Sequence, residues 1–355
     1  MNNIKTKTNY FLLNTLGLPI IDSLDSLSDT LAISKNMIYL LSKCNYNYYV
    51  KTHIPKKDGT KREILIPNYS MKMTQRWILQ NILYKIRVSD NAKGYKKGIK
   101  APLVENAMMH HEQLYCLILD VENFFPSIGV KRICNLFERV GYNSLISYIL
   151  ARICTYKDYL PQGAVTSPYL ANLVCFKLDR RIDAYCCKRE ISYTRYCDDL
   201  IFSSDNLDSL KKAYKMFEVI LCNEGFKLNR RKTRFLTPNT LKQILGITIN
   251  DELIKAPKIM KRKVKALIFK SIVNKDYRKN DVIRGYIAYI KSIENNYQNK
   301  IEKYVKRLHN KDFIRGDLEV VKAYNENKLY SNFPDLAFSK AAALFLENPE
   351  LEELM

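Results

Sequence analysis

Three carboxylates lie where apolar segments of the sequence end or turn. Asp120 follows the apolar run 117–119, and Asp198 and Asp199 precede the apolar run 200–202. Burying a carboxylate is costly unless it is paired or bound to a metal. Converging carboxylates offer the oxygen ligands that Mg²⁺ prefers, and two such ions about 4 Å apart can activate a hydroxyl and stabilise a pyrophosphate leaving group. The alternative is that these residues only form turns or exposed strand ends, and Tyr-x-Asp-Asp alone is weak evidence.

A basic hairpin is the second candidate for chemistry. Asp58-Gly59 stands between two strand-like runs and is flanked by Lys56, Lys57, Lys61 and Arg62. Asp-Gly in such a setting predicts a tight β-turn. Four positive charges on a hairpin suit a triphosphate, whose charge must be neutralised before transfer. The alternative is a solvated charged turn.

The overall charge indicates a polyanionic partner. Lysine and arginine number 58 against 36 aspartates and glutamates, which gives a net charge of +22. Such an excess favours nucleic acid, with binding that weakens as salt rises. A soluble basic protein without such a partner is the alternative. A membrane-surface role is disfavoured because the basic residues are spread along the chain instead of lying on one amphipathic helix.

The remaining composition predicts a cytoplasmic protein. The nine cysteines are scattered, with no paired CxxC motifs, so we expect reduced thiols and no structural zinc. No apolar run is long enough to span a bilayer, and the N-terminal residues lack the apolar region of a signal peptide.

Helices and strands are predicted to alternate around the three carboxylates. Strand patterns cover 47–54, 64–66, 113–119 and 191–204, with a further strand pair over 243–250 that turns at Asn250-Asp251. Helical periodicity covers 1–45, 71–87, 129–156, 168–188, 207–223 and the basic region after 257. Because neighbours on a strand point to opposite faces, Asp199 is expected to point away from Asp198 and to be in part structural. These patterns predict an α+β core with a mainly antiparallel sheet.

Five segments, in order, resemble the motifs of reverse transcriptases. They are 119–127 around Asp120; Leu160-Pro161-Gln162-Gly163-Ala164-Val165-Thr166-Ser167-Pro168; Tyr196-Cys197-Asp198-Asp199; Gly225-Phe226 with Asn229 and Lys232-Thr233; and the primer-grip turn Ile244-Leu245-Gly246.

Within that superfamily the chain most resembles the retron reverse transcriptases. The resembling segments are Leu16-Gly17-Leu18-Pro19, Gly94-Tyr95, Gly98-Ile99, Asn106-Ala107-Met108-Met109-His110 and Ile283-Arg284-Gly285-Tyr286. The resemblance covers about residues 8–310. One departure is Ile244-Leu245-Gly246, where retron enzymes usually carry Val-Thr-Gly, and it leaves the usual mode of RNA-stem recognition open.

The resemblance implies the fold of a right-hand polymerase, with fingers, a palm built on a ferredoxin-like antiparallel sheet, and a helical thumb. The expected division places N-terminal helices and fingers in 1–112, the palm with finger insertions in 113–250, the thumb in 251–310 and a tail in 311–355.

The resemblance also implies roles for particular residues. Asp120, Asp198 and Asp199 would be catalytic and, with the backbone carbonyl of Val121, would hold two Mg²⁺ ions. Nucleotide binding would fall to Lys61, Arg62, Gln162, Gly163 and Phe125, the last as a steric gate against a 2′-hydroxyl or, alternatively, as core packing. RNA binding would fall to Asn106, His110, Leu245, Gly246, Arg284 and Tyr286.

The function implied is RNA-directed DNA synthesis from deoxynucleoside triphosphates. The template would be a dedicated structured non-coding RNA (msr-msd), whose guanosine 2′-hydroxyl primes a single-stranded DNA that stays linked to RNA (msDNA). An effector protein would act with it in anti-phage defence. One alternative is an abortive-infection or other defence reverse transcriptase without a retron RNA. Another is a catalytically idle scaffold that holds RNA and an effector.

Overall fold

The computed structural model describes residues 6–55, 59–98, 101–250, 253–274 and 276–309. They divide between two compact units. The first lies within Met1–Ile54, Lys61–Pro102 and Gln113–Thr237, and the second lies within Pro55–Thr60, Leu103–Glu112 and Pro238–Met355. The chain is therefore interleaved between the units, because two short segments leave the first unit and return to it.

The helices in chain order are α1 (Tyr10–Thr15), α2 (Leu24–Leu31), α3 (Lys35–Lys43), α4 (Tyr69–Asn81), α5 (Pro102–Met108), α6 (Val130–Val140), α7 (Ser144–Ile153), α8 (Ser167–Val174), α9 (Phe176–Cys187), α10 (Leu207–Asn223), α11 (Lys258–Val273), α12 (Asn280–Ile293) and α13 (Tyr297–His309). The strands are β1 (Tyr49–Pro55), β2 (Lys61–Pro67), β3 (Tyr115–Asp120), β4 (Ser192–Tyr196), β5 (Asp199–Ser204), β6 (Arg234–Leu236), β7 (Gln243–Ile244) and β8 (Ile247–Thr248).

Short polar side chains begin several of these helices. The Asn68 side chain accepts the backbone N–H of Met71 at the start of α4, and Asn206 accepts that of Ser209 at the start of α10. Each cap satisfies one of the N–H groups that a first helical turn leaves without a partner. The ends of these helices are therefore encoded locally.

A four-stranded antiparallel sheet in the order β4-β5-β3-β6 is the centre of the first unit. β3 and β5 pair so that Asp120 stands directly opposite Asp199. β4 and β5 pair Tyr196 with Asp199, so only Cys197 and Asp198 connect these two strands. The sheet thus brings all three carboxylates to one end of neighbouring strands.

The helices of the first unit cover one face of this sheet with an apolar core. Leu117 and Leu119 of β3 and Phe202 of β5 belong to that core, and Phe202 stacks on Phe217 of α10 with ring centroids 3.9 Å apart. Because side chains alternate along a strand, Asp120 lies on the opposite face of the sheet. Hydrophobic packing on one face therefore fixes where the acids of the other face stand.

The second unit contains a small bundle formed by α11, α12 and α13. Apolar side chains that include Val264 of α11, Ile287 of α12 and Val305 of α13 are buried in this unit. Glu294, just after α12, accepts hydrogen bonds from the Lys261 side chain at 2.7 Å and from the Ala256 backbone N–H at 2.9 Å. This one acid ties the start of α11 to the end of α12.

The predicted α+β architecture with an antiparallel sheet is confirmed, and so are the strand that ends at Asp120 and the helix over 207–223. One detail was wrong: the single helix predicted over 168–188 is two helices, because α8 ends at Val174 and α9 begins at Phe176. Strands β7 and β8 are joined by a turn at Leu245-Gly246, as the family resemblance implies, and both turn residues have the positive φ values (48° and 81°) of a tight turn. The turn predicted at Asn250-Asp251 lies in part outside the described residues, and Thr248 and Lys255 on either side of it form an antiparallel bridge.

Some predictions fall on other parts of the chain. Lys56, Lys57, Asp251 and the tail 311–355 lie outside the described residues. Among the helices that the structure describes, none is both long and apolar enough to cross a membrane.

Candidate active site

The three predicted carboxylates meet where β3 ends and β5 begins. Asp120 and Asp199 face each other across the two strands, and Asp198 occupies the turn between β4 and β5. The backbone N–H of Val121 donates to the carbonyl of Asp198 at 3.1 Å, which joins the end of β3 to that turn. Asp120 and Asp199 are directly opposed in the antiparallel pair, so their side chains share one face of the sheet. The expectation that Asp199 points away from Asp198 stays a prediction, and the strand alternation on which it was based starts only at Asp199, because Asp198 is a turn residue.

The turn that carries Asp198 depends on an unusual backbone conformation. Cys197 has a φ of +58°, which L-residues other than Asn and Asp rarely adopt. A positive φ at only the first of two central residues is the pattern of a type II′ hairpin turn, where glycine is usual. Cys197 is 8% exposed, so its small side chain is held inside the protein.

Burial and mutual repulsion shape the electrostatics of the carboxylates. Burial, followed by the charges of Asp198 and Asp120, raises the pKa of Asp199 to about 7. The pKa of Asp198 is raised as well, by burial and by Asp120. The ammonium of Lys232 donates to Asp120 at 2.8 Å, and this hydrogen bond raises the pKa of Lys232. Among the residues that the structure describes, Lys232 is therefore the cation in direct contact with this group, and it contacts Asp120.

This donor set suits a divalent cation. Carboxylates are the oxygen ligands that hard cations take, and a cation beside Asp198 and Asp199 would lower their pKa values by opposing the effects of burial and of the neighbouring carboxylates. In the described part of the chain, no three Asp, Glu, His or Cys side chains are already arranged around a common point. The three carboxylates are chemically suited to the Mg²⁺ ions that the sequence predicts. In this structure the carboxylate of Asp120 accepts a hydrogen bond from Lys232.

A buried ion pair supports the same turn, and sequence reasoning missed it. Arg195 and Asp179 are both 0% exposed, and the guanidinium binds the carboxylate through two hydrogen bonds of 2.7 Å. Arg195 also donates to the carbonyl of Cys197 at 3.1 Å and to the side chain of Asn172 at 3.0 Å. The tyrosine hydroxyl of Tyr193 donates to Asp179 at 2.9 Å. An arginine within the strand-like run 191–196 was the signal that could have revealed this support.

The segment before α5 packs along β4 beside this ion pair. The backbone of Arg195 donates to Asn91 at 2.7 Å and accepts from Lys93 at 2.8 Å. A Cβ atom on Gly94 would lie 3.2 Å from the ring of Tyr196, so glycine permits this close approach. The Gly94-Tyr95 pair quoted for the family resemblance thus lies against the tyrosine of the Tyr-Cys-Asp-Asp turn.

The second motif is bound to the strand that carries Lys61 and Arg62. The carbonyl of Gln162 accepts the backbone N–H of Leu65 at 2.8 Å. Gly163 has a φ of +116°, and a Cβ atom there would lie 2.6 Å from the carbonyl oxygen of Leu65. Only glycine allows these two segments to approach so closely. On the same strand, Lys61 is exposed and Arg62 is half-buried. The hydrogen bond between Leu65 and Gln162 therefore connects the strand that carries Lys61 and Arg62 to the loop that carries Gln162 and Gly163.

Phe125, the fifth of these residues, is half-buried beside a stack of rings. Its ring meets that of Phe124 edge-on at 5.4 Å, and Phe124 stacks on Phe226 at 5.7 Å. The guanidinium of Arg132 covers Phe226 at 4.6 Å. Phe125 is therefore packed on one side by the neighbouring ring, and part of its own ring remains exposed.

The six predicted RNA-binding residues belong to the second unit. Asn106 and His110 are 0% exposed, which favours a role in shaping the segment at α5. Leu245 and Gly246 form the β7–β8 turn. Arg284 is half-buried, and its guanidinium lies 3.4 Å from a carboxylate oxygen of Asp281. Tyr286 is buried, and the ammonium of Lys263 lies 5.5 Å from its ring centroid.

Comparison with known proteins relates the chain to reverse transcriptases. The family described as reverse transcriptase (RNA-dependent DNA polymerase) matches residues 54–267, more than half of the chain. The Retron Ec86 reverse transcriptase of Escherichia coli is 34% identical over 85% of this chain and 94% of that enzyme. The Retron Mx162 reverse transcriptase of Myxococcus xanthus is 29% identical over 66% of this chain and 54% of that enzyme. Among solved structures, apo telomerase from Candida tropicalis aligns with a TM-score of 0.46 and 12% identity over 86% of this chain and 68% of that one.

Proposed function

We propose that this chain, which belongs to the retron-type reverse transcriptases and is an RNA-directed DNA polymerase, copies a dedicated structured RNA into single-stranded DNA that remains linked to RNA. The observation that carries the proposal is the meeting of Asp120, Asp198 and Asp199 at the end of one antiparallel sheet. Burial and the neighbouring carboxylates raise the pKa values of Asp198 and Asp199, which indicates a site that a bound cation would stabilise.

The metal is proposed to be Mg²⁺, as two ions held by Asp120, Asp198, Asp199 and the carbonyl of Val121. When bound, the ions would activate the attacking hydroxyl and neutralise the departing pyrophosphate. The chain's own contribution is to fix these oxygen ligands in place. Strand pairing positions Asp120 and Asp199, and the buried Arg195 holds the turn that positions Asp198.

The incoming deoxynucleoside triphosphate is proposed to lie against β2 and the second motif. Lys61 and Arg62 would neutralise its phosphates, and Gln162 and Gly163 would contact the nucleotide from the adjoining loop. Phe125 would exclude a 2′-hydroxyl by its bulk. The hydrogen bond between Leu65 and Gln162 supports this grouping, because it joins the two segments directly.

The division into N-terminal helices and fingers (1–112), palm (113–250), thumb (251–310) and tail (311–355) is proposed on the same grounds. The sheet with its carboxylates supports the palm, and the basic bundle of α11–α13 supports the thumb. Leu245, Gly246, Arg284 and Tyr286 are proposed to serve RNA binding, with Asn106 and His110 shaping a neighbouring segment.

The RNA partner (msr-msd), an effector protein, a role in anti-phage defence and a cytoplasmic location rest on resemblance to retron enzymes. Ile244-Leu245-Gly246, where those enzymes usually carry Val-Thr-Gly, is the observation that favours a second candidate. That candidate is a defence reverse transcriptase that uses another template.

Nucleic-acid content tests the proposal. The protein is purified after expression from its native locus, nucleic acid is extracted and treated with ribonuclease, and wild type is compared with Asp198→Asn. A discrete small single-stranded DNA that is linked to RNA in the wild type alone is the expected result. RNA without DNA would favour a scaffold, and the absence of both would favour the second candidate.

A further inference from the structure

Helix α4 has two faces of opposite character. Its inner face includes Met71, Gln75 and Ile78, which are fully buried. Its outer face, defined here by exposed residues spaced as on one side of a helix, consists of Tyr69, Lys72, Met73, Arg76 and Gln80. Core packing explains the inner face and leaves the outer face without an explanation.

The outer face combines aromatic and basic groups. Tyr69 is 78% exposed and Met73 is 44% exposed, although both are large and apolar in part. Lys72 and Arg76 lie one helical turn apart, about 6 Å along the axis. Trp77, at the edge of this face, is half-buried against the core. Bases stack on aromatic rings while basic side chains take phosphates, so this face has the composition of a surface for single-stranded nucleic acid.

The sequence around α4 lacks acidic residues, which also favours a surface for nucleic acid. Residues 64–89 contain no aspartate or glutamate. Within the described residues, neither Lys72 nor Arg76 has a carboxylate partner, whereas Lys51, Arg87 and Lys96 each form an ion pair with a nearby acid. The two positive charges of the outer face are therefore available to an external anion.

The inner face fixes α4 to the second motif. The side chain of Gln75 accepts the backbone N–H of Val165 at 3.3 Å and donates to the Tyr49 hydroxyl at 2.7 Å and to the Ile153 carbonyl at 2.9 Å. A strand bound to the outer face would therefore be held at a fixed place relative to Gln162 and Gly163.

We propose that the outer face of α4 binds an RNA strand, with phosphates against Lys72 and Arg76 and a base stacked on Tyr69. The identification of the strand as RNA rests on the proposed function, because the polymerase must hold its RNA template outside the site of synthesis. The net charge of +22 and the acid-free surface fit a polyanion better than the mixed charges of a protein partner.

Binding of a fluorescein-labelled single-stranded oligouridylate to the purified full-length protein tests the proposal. The variant Lys72→Gln/Arg76→Gln should weaken binding about tenfold at 0.1 M salt and should reduce the slope of log affinity against log salt by about 1.4, which corresponds to two lost phosphate contacts. Tyr69→Ala should weaken binding about tenfold with little change in that slope, because stacking is not ionic.

A matched pair on another helix provides the control. Lys212 and Lys215 of α10 are also exposed and lack a carboxylate partner within the described chain, and Lys212→Gln/Lys215→Gln removes the same charge. This variant should weaken binding much less than the α4 variant. Equal losses from the two pairs, or no loss from the α4 pair in protein that unfolds at the wild-type temperature, would overturn the proposal.

Extension of oligo(dT) on poly(rA) by the same wild-type protein distinguishes a failure of the proposed polymerase function from a failure of the proposed RNA surface on α4. If the wild type makes no DNA, the proposed function fails, whatever the binding data show. If it makes DNA while the α4 and α10 variants bind oligouridylate equally, only the outer face of α4 is refuted as an RNA surface.

Discussion

The acids next to β4 and β5 fall into two groups, Asp179 alone and Asp120 with Asp198 and Asp199, which differ in how their charge is satisfied. Asp179 is completely buried, and Arg195 and Tyr193 satisfy it with short hydrogen bonds inside the protein. Asp198 and Asp199 lie beside Asp120, and burial together with the neighbouring carboxylates raises their pKa values. The first group is neutralised within the fold, whereas the second is left short of positive charge. The fold therefore satisfies Asp179 internally and leaves Asp198 and Asp199 in an environment that a bound cation would stabilise.

Replacing an acid of the second group should separate activity from stability. Asp120→Asn removes a metal ligand and should lower DNA synthesis about 1,000-fold or more, which corresponds to about 4 kcal/mol or more of transition-state stabilisation. The free energy of unfolding should change little, because the weaker repulsion within the group offsets the lost charge of the ion pair with Lys232. Primer extension and thermal unfolding measure the two effects. A variant that retained activity would remove Asp120 from the site.

Replacing the acid of the first group should do the reverse. Asp179→Asn leaves the Arg195 guanidinium buried without its counter-ion, so the free energy of unfolding should fall by about 3–5 kcal/mol. Denaturant unfolding measures this loss. The double variant Asp179→Leu/Arg195→Met removes both charges and should recover most of the stability, and a double variant as unstable as the single one would contradict the account.

The pH dependence of stability should come from the second group in metal-free protein. The carboxyl of Asp199 keeps its proton in the folded state up to a pH of about 7, whereas an ordinary aspartate loses it near 3.8. The folded state therefore binds more protons within this window, so stability should fall as pH rises from about 4 to 7 and then level off. Unfolding temperatures in a chelator measure the trend. Asp199→Asn should flatten it, and an equally steep trend in that variant would assign the effect elsewhere.

The smallest effect should come from one donor in the first group. Tyr193→Phe removes the hydroxyl that donates to Asp179 and should lower the free energy of unfolding by about 1.5 kcal/mol, as for a hydrogen bond to a charged group. Denaturant unfolding is again the measurement, with Tyr214→Phe as an equivalent change at a half-buried ring elsewhere in the same unit. A loss no larger than that of the control would show that Arg195 alone satisfies the acid.

The sequence allowed much of the second group to be predicted and little of the first. Asp120 follows an apolar run and Asp198-Asp199 precede one, in motifs that occur in a fixed order, so local sequence patterns are enough to find them. The partnership of Asp179 with Arg195 joins a helix to a strand, and no local pattern encodes such a contact. The break between α8 and α9 was missed because no glycine or proline stands at Val174-Cys175-Phe176 to mark a helix end.

Extension of a DNA primer on an RNA template by the purified protein, with Mg²⁺ or with a chelator, tests the central claim most directly. The account predicts that the wild type incorporates deoxynucleotides only with the metal, and that Asp198→Asn, which unfolds at the same temperature or higher, does not. Equal DNA synthesis by the two proteins, or synthesis in the chelator, would contradict the assignment of these acids as the catalytic metal site.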